Sequence, residues 1–256
     1  MKVVRTIEEL DETLAPLRTG SIGLVPTMGA FHAGHVSLFR AAREECDAVV
    51  VSLFVNPTQF ERPDDLARYP QDEAGDLAVA EKEGADVVFA PAADELFPPR
   101  FQTWVEVEEL GRRLEGEHRP GHFRGVATVC LKLFNLVRPR RAYFGQKDAQ
   151  QTAVIRRLVR DLNLPLEIRV LPTVRDEDGL ALSSRNALLT PEERELALSL
   201  PRALATHDPA RARELLDGLE VEYVEVADFE PKVLAAAVRV GETRLIDNVV
   251  LEGDQP

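Results

Sequence analysis

The stretch PTMGAFHAGH, residues 26–35, holds two of the chain's five histidines, His32 and His35, three residues apart with Gly34 between them. Side chains at that spacing lie on one face of a helix, so both imidazoles could address a single group. An apolar run, SIGLVP, precedes the stretch and an amphipathic one, HVSLFRAAREEC, follows it, which makes it a turn from a strand into a helix. The first backbone N–H groups of a helix lack partners, and anions are favoured there. Gly29 and Gly34 would let the backbone approach a phosphate. The histidines could instead face solvent or cap the helix. Zinc would need further His, Cys or carboxylate ligands at matching spacing, and the sequence offers no such set.

The elements that must position this turn follow from the hydrophobic pattern. Short apolar runs, SIGLVP, DAVVVSLFV, ADVVFAP, RAYFG and LEIRVLP, alternate with amphipathic stretches, HVSLFRAAREEC, DEAGDLAVAEKEG, GVATVCLKLFNLV and AQQTAVIRRLVRDL. Five strands joined by helical crossovers predict a parallel, Rossmann-like α/β sheet flanked by helices, which places the histidine turn at the carboxyl edge where such sheets bind ligands. Near residue 173 the pattern changes. LTPEERELALSL has Thr190 as N-cap, Pro191 at the first helical position and Glu193 completing a capping box, while DPARARELLDG opens on Asp-Pro and ends at Gly218. VEYVEVAD, VLAAAVRV and TRLIDNVVL then predict three strands with a turn at Gly241 and Glu242. The expected division is a first domain over 1–173 and a small α+β domain over 174–256.

Composition limits the function. The net charge of −13 argues against a large nucleic-acid or anionic-membrane surface, so any anion is met locally. Between Gly111 and Lys147 that balance inverts, with nine Lys or Arg facing only Glu115 and Glu117; Arg119, His122 and Arg124 are the members expected to face a site. Cys46 and Cys130 lie in apolar helical patterns and read as reduced thiols. No apolar run approaches a membrane span and the chain begins MKVVRTIEELDETL, so a cytoplasmic protein is expected.

The strand, PTMG, HxGH and helix order resembles the nucleotidyltransferase superfamily that includes class I aminoacyl-tRNA synthetases, in which the histidines contact ATP phosphates. FVNPTQF (54–60), RPGHFRGV (119–126), FGQKDAQQ (144–151) and DGLALSSRN (178–186) follow in the order found in the pantothenate synthetase family, and the resemblance runs from about Thr6 to Leu251. It implies ATP-driven condensation of pantoate with β-alanine through a pantoyl-adenylate, releasing AMP and pyrophosphate. It gives Met28, His32, His35, Gly145, Lys147, Asp148, Val174, Ser183, Ser184 and Arg185 to ATP, with His32, His35, Lys147 and Arg185 as the catalytic donors, and Gln59 and Gln151 to pantoate. SSRN resembles the mobile signature loop of the synthetases, expected to close over the triphosphate. Mg²⁺ and a homodimer are further implications.

Two positions depart from that pattern. Gln146 stands where the resemblance leads one to expect Glu, and Gly75–Asp76 stands where the family usually shows two adjacent acidic residues associated with magnesium, which leaves Asp76 as a candidate ligand beside Asp72 and Glu73. The stretch from about Ser199 to Glu220 is shorter than the family leads one to expect. A different nucleotidyltransferase would need a basic acceptor pocket in place of Gln59 and Gln151. A non-catalytic nucleotide-binding module would have no use for a complete SSRN.

Overall fold

The computed structural model describes residues 1–60 and 63–251; residues 252–256 of the expected second domain lie outside them. Six strands, β1 (Lys2–Val4), β2 (Ile22–Thr27), β3 (Ala48–Leu53), β4 (Val87–Phe89), β5 (Arg141–Gly145) and β6 (Glu167–Leu171), form one sheet in the order β1-β4-β3-β2-β5-β6. The pairings of β1 with β4, β4 with β3, β3 with β2 and β2 with β5 are all parallel. From β2 the chain winds one way through β3 and β4 and the other way through β5 and β6, so the order reverses between β2 and β5. Open α/β sheets bind ligands at the carboxyl ends of strands beside such a reversal.

The doubly covered sheet explains the apolar runs. Leu24 and Val50 face a core shared with Leu10 and Leu14 of α1 (Ile7–Leu14) and with Val126, Leu133 and Phe134 of a helix at His122–Val137. Their neighbours Val25, Val49 and Val51 face a second core with Leu38, Phe39 and Ala42 of α2 (Ala33–Glu45) and Ala80 of a helix at Glu73–Lys82. Strands buried on both faces read as continuous Val-rich runs rather than as alternations. The sixth strand, β1, was not expected. It spans three residues at the sheet's edge, too short for a periodic signal.

By contacts the chain forms two compact units, Met1–Phe144 with Val154–Leu171, and Gly145–Ala153 with the chain from Pro172 onward. The expected boundary near 173 left residues 145–153 in the first domain; their contacts group them with the second. The Asn248 side chain is one reason, since its Nδ2 donates to the Gln146 and Lys147 carbonyls at 2.9 Å each. The second unit carries an antiparallel sheet of β7 (Glu220–Asp228), β8 (Lys232–Val240) and β9 (Thr243–Val250) in that order. Thr190 closes its capping box with Glu193 and Pro191 opens the helix, but that helix stops at Ala197 and a separate one runs over Ser199–Leu204. A third covers Pro209–Leu215 with Asp208 as N-cap. Leu200, Leu204, Ala212 and Leu216 pack on Val224, Leu234, Ala236 and Val238 to make this unit's core. Both cysteines are buried and unbridged.

Candidate functional site

In the first unit the histidine turn is built by three devices. Gly29 has φ +88° and Ala30 φ +52°, so the backbone after β2 passes through two left-handed residues. Asp76, 4% exposed, holds that bend: Oδ2 accepts the Ala30 N–H at 2.9 Å and Oδ1 the Phe31 N–H at 2.7 Å. A Cβ on Gly29 would stand 2.7 Å from Asp76 Oδ2, which is why the first left-handed residue carries no side chain. Phe31 then packs edge-on to Phe39 at 5.1 Å, tying the turn to α2.

His32 is the N-cap of α2. Its Nδ1 accepts the Gly34 N–H at 3.1 Å, and His35 Nδ1 accepts the His32 N–H at 3.3 Å, a capping box built from two imidazoles. The rings lie 4.3 Å apart, tilted by 46°. An Nδ1 that accepts leaves the proton of the neutral ring on Nε2. Capping and donation are therefore compatible in one arrangement, because each imidazole uses one nitrogen on the backbone and carries its donor on the other. The Gly34 N–H, expected to face an anion directly, is occupied by His32. A Cβ on Gly34 would sit 2.8 Å from His32 Cε1, so the glycine makes room for the imidazole rather than for a phosphate.

Gln59 sits in a short 3₁₀ turn after β3 and is 7% exposed. Its Oε1 accepts from Asn56 Nδ2 at 3.0 Å, and its Nε2 points at Met28 Sδ at 2.8 Å. Asn56 also caps the turn through Thr58 and donates to the Gly125 carbonyl at 3.3 Å. A Cβ on Gly125 would lie 2.5 Å from the Thr58 carbonyl oxygen, so that glycine sets how closely the helix from His122 approaches the turn. His122 Nδ1 lies 2.9 Å from the Gln59 carbonyl oxygen and Arg119 Nη2 3.5 Å from it, so two of the expected basic residues support Gln59 through its backbone. Met28 and Asp76 also line a cleft of about 710 Å³ with Leu53 and Pro57, a size that suits a small ligand.

In the second unit, Gly145, Lys147, Asp148 and Gln151 belong to one short stretch, with a 3₁₀ turn over Gln146–Asp148. Lys147 Nζ is 3.9 Å from Asp148 Oδ1. Val174 accepts the Leu182 N–H at 3.0 Å, which folds residues 174–182 into a hairpin-like loop with a bridge between Arg175 and Ala181. Arg194 holds that loop through its Asp176 and Asp178 carboxylates. Desolvation works to raise the Asp178 carboxyl, but the Leu180 N–H and the Arg194 guanidinium outweigh it and hold the group below its usual range. SSRN follows as a 3₁₀ turn in which Ser183 caps Arg185 N–H at 3.3 Å. Lys147, Ser183 and Arg185 line one crevice of about 10 Å³, room for about a single water, so these three expected residues are neighbours in this unit.

The acidic residues considered as magnesium ligands are engaged elsewhere, so an ion arriving with ATP would rest on substrate oxygens and water rather than on these side chains. Both Asp76 oxygens already accept backbone N–H groups, Asp72 accepts the Gly75 N–H, and Glu73 is paired with Arg5. Among the described residues no group of three His, Cys, Asp or Glu could hold a metal ion. No helix among them is long and apolar enough to cross a membrane. Nothing in residue type or spacing singles out Asn56 or Asn248, although both lie inside quoted motifs. The signal for Asp76 as an anchor was a carboxylate one turn before the buried Ala80 on a helix's inner face.

A model of the pantoate–beta-alanine ligase family matches residues 2–250. The chain is 50% identical to pantothenate synthetase 1 of Bradyrhizobium diazoefficiens, covering 98% of each. It is 52% identical to pantothenate synthetase of Corynebacterium efficiens, covering 98% of this chain and 99% of that one. That alignment runs over 284 positions against 256 residues here, so the relative carries segments this chain lacks. Among solved structures, pantothenate synthetase of Thermus thermophilus superposes with a TM-score of 0.92 at 43% identity, covering 98% and 99% of the two chains. The pantoate–beta-alanine ligase of Francisella tularensis, complexed with beta-gamma ATP and beta-alanine, gives 0.87 at 36%, covering 98% and 97%.

Proposed function

The chain belongs to the pantoate–beta-alanine ligase family, and from that premise we propose that it joins pantoate to β-alanine with ATP by way of a pantoyl-adenylate. Pantoate's carboxylate is ionised at neutral pH and attacks the α-phosphorus of ATP without a general base. The new bond is carboxylate oxygen to phosphorus; the bond broken is α-phosphorus to bridging oxygen, and pyrophosphate leaves with its electron pair. The neutral amine of β-alanine then attacks the acyl carbon, AMP departs, and the nitrogen loses a proton.

What the first step needs is alignment and compensation of phosphate charge. His32 and His35 supply Nε2–H donors, and the observation that carries this assignment is that backbone N–H groups occupy both Nδ1 atoms. Donors held before charge develops require no reorganisation when it does. Lys147 and Arg185 add positive charge, and Ser183 and Ser184 add hydroxyl donors. Gly145, Asp148, Val174 and Met28 border the nucleotide. Gln59 and Gln151 hold pantoate by uncharged amides, and the engagement of Gln59 by Asn56 and Met28 favours a small polyol acid over an anionic phosphate-ester acceptor. Mg²⁺ would accompany the triphosphate and help neutralise its charge, with substrate oxygens and water rather than side chains as its ligands.

The expected first domain over 1–173, apart from the 145–153 stretch that groups with the second unit, serves ATP and pantoate binding, and the smaller second domain serves as a lid that keeps water from the adenylate. A homodimer, as the family resemblance implies, working in the cytoplasm, as a biosynthetic ligase would, completes the proposal. The test is AMP release by the purified chain with ATP and pantoate. Release that requires β-alanine in stoichiometric amount supports the proposal, and ATP binding without turnover would leave a nucleotide-binding module instead.

A further inference from the structure

Toward the end of β9 lies an Asp-Asn pair, Asp247–Asn248, that the proposed chemistry does not use, yet both residues are buried. Asp247 is 2% exposed and Asn248 4%. Neighbours on a strand point to opposite faces. Asp247 takes Arg175 in a two-pronged pair, at 2.6 and 3.0 Å. Asn248 reaches the turn that carries Lys147: its Nδ2 donates to the Gln146 and Lys147 carbonyls at 2.9 Å each, and its Oδ1 accepts from Gln146 Nε2 at 3.2 Å. Both donor hydrogens and the acceptor are therefore spent on two consecutive residues. An amide alone among side chains of this length offers two hydrogens and an acceptor on one planar group. A carboxylate there would face two carbonyl oxygens, and an apolar residue would leave both without this partner.

We propose that Asn248 is a positioning residue for Lys147, fixing the backbone from which the ammonium reaches phosphate. The proposal rests on the assignment of Lys147 to ATP made above. It also accounts for Gln146, whose amide can donate to Asn248 where the carboxylate of a Glu could not. Lys147 has a long flexible stem, and a clamp at its own carbonyl restricts the root of that stem. Alignment errors of an ångström cost rate steeply, so loss of the clamp falls on the step that Lys147 serves.

The experiment is a double-mutant cycle on the full chain, read by pantoate-dependent exchange of labelled pyrophosphate into ATP. Asn248→Ala should lower kcat/KM for ATP about 10-fold or more while moving the pantoate KM less than about twofold. In the Lys147→Ala background, Asn248→Ala should cost less than about twofold further, because a residue that acts through Lys147 has nothing left to position. Asn248→Asp should be worse than Asn248→Ala. Should Asn248→Ala lose its cooperative thermal transition, Asn248→Ser, which keeps one donor, takes its place in the cycle. Independent, multiplying losses, or an unaffected Asn248→Ala beside a crippled Lys147→Ala, would overturn the inference alone. Wild-type exchange by Lys147→Ala would overturn the assignment of Lys147 and the inference with it.

Discussion

Replacing Gly34 by alanine puts one carbon where the His32 ring now lies. The added Cβ would stand 2.8 Å from His32 Cε1 and 2.9 Å from Nδ1, closer than side chains tolerate, while the backbone itself is unaffected. The ring is the movable partner, so it swings away and the bond from Gly34 N–H to Nδ1 at 3.1 Å is lost. Two stability effects then oppose each other. Loss of a side-chain cap costs about 1 kcal/mol, and alanine in place of glycine within a helix returns about 0.5–1 kcal/mol. Folding should therefore change by less than about 1 kcal/mol. Catalysis has no such offset: a preorganised donor to developing charge is worth about 3 kcal/mol, roughly a hundredfold in rate. Pantoate-dependent pyrophosphate exchange and thermal unfolding, measured on the same preparation, separate the two. Exchange within about threefold of wild type in a folded Gly34→Ala protein would remove the His32 donor from the mechanism, since the geometry leaves its ring no room to stay.

His35→Ala should lower the exchange rate by about two orders of magnitude or more with folding intact, and near-wild-type exchange would remove that imidazole too. Lys147→Ala should fall comparably, and Lys147→Gln should not restore it, because an amide brings no charge to the triphosphate; recovery with Gln would show that a neutral donor suffices. Gln59→Ala and Gln151→Ala should each raise the pantoate KM more than the ATP KM in steady-state assays, and the reverse order would move the pantoate pocket elsewhere. Asp76→Asn sets an amide donor against the Ala30 or Phe31 N–H. Denaturant unfolding should show a loss of about 1–3 kcal/mol, and full stability would mean that the turn holds without that carboxylate.

Local signals in the sequence carried far. Continuous apolar runs located β2 and β3, the Thr190–Pro191–Glu193 triplet located a helix start to the residue, and Gly218 and Gly241 sit at positive φ where a helix end and a turn were expected. The failures share a physical cause. Residues 145–153 follow a sheet strand, and contacts with residues about a hundred positions away, Asn248 among them, group them with the second unit. Gly34 was read as letting the backbone approach a ligand, and its missing Cβ also makes room for the His32 ring, which depends on which nitrogen of His32 turns inward. Asp76 was a candidate metal ligand because the family resemblance places acidic residues there, and its carboxylate accepts two backbone N–H groups 45 and 46 residues earlier. Periodicity and caps describe neighbours along the chain; they are silent about partners brought together by the fold.

The central claim is that pantoate is activated on ATP before β-alanine takes part. The most direct test is isotope exchange: purified chain, ATP, Mg²⁺, pantoate and labelled pyrophosphate, with β-alanine absent. Label should enter ATP at a rate that depends on pantoate and disappears without it. Exchange that occurred only after β-alanine was added would contradict the claim and point to a concerted condensation.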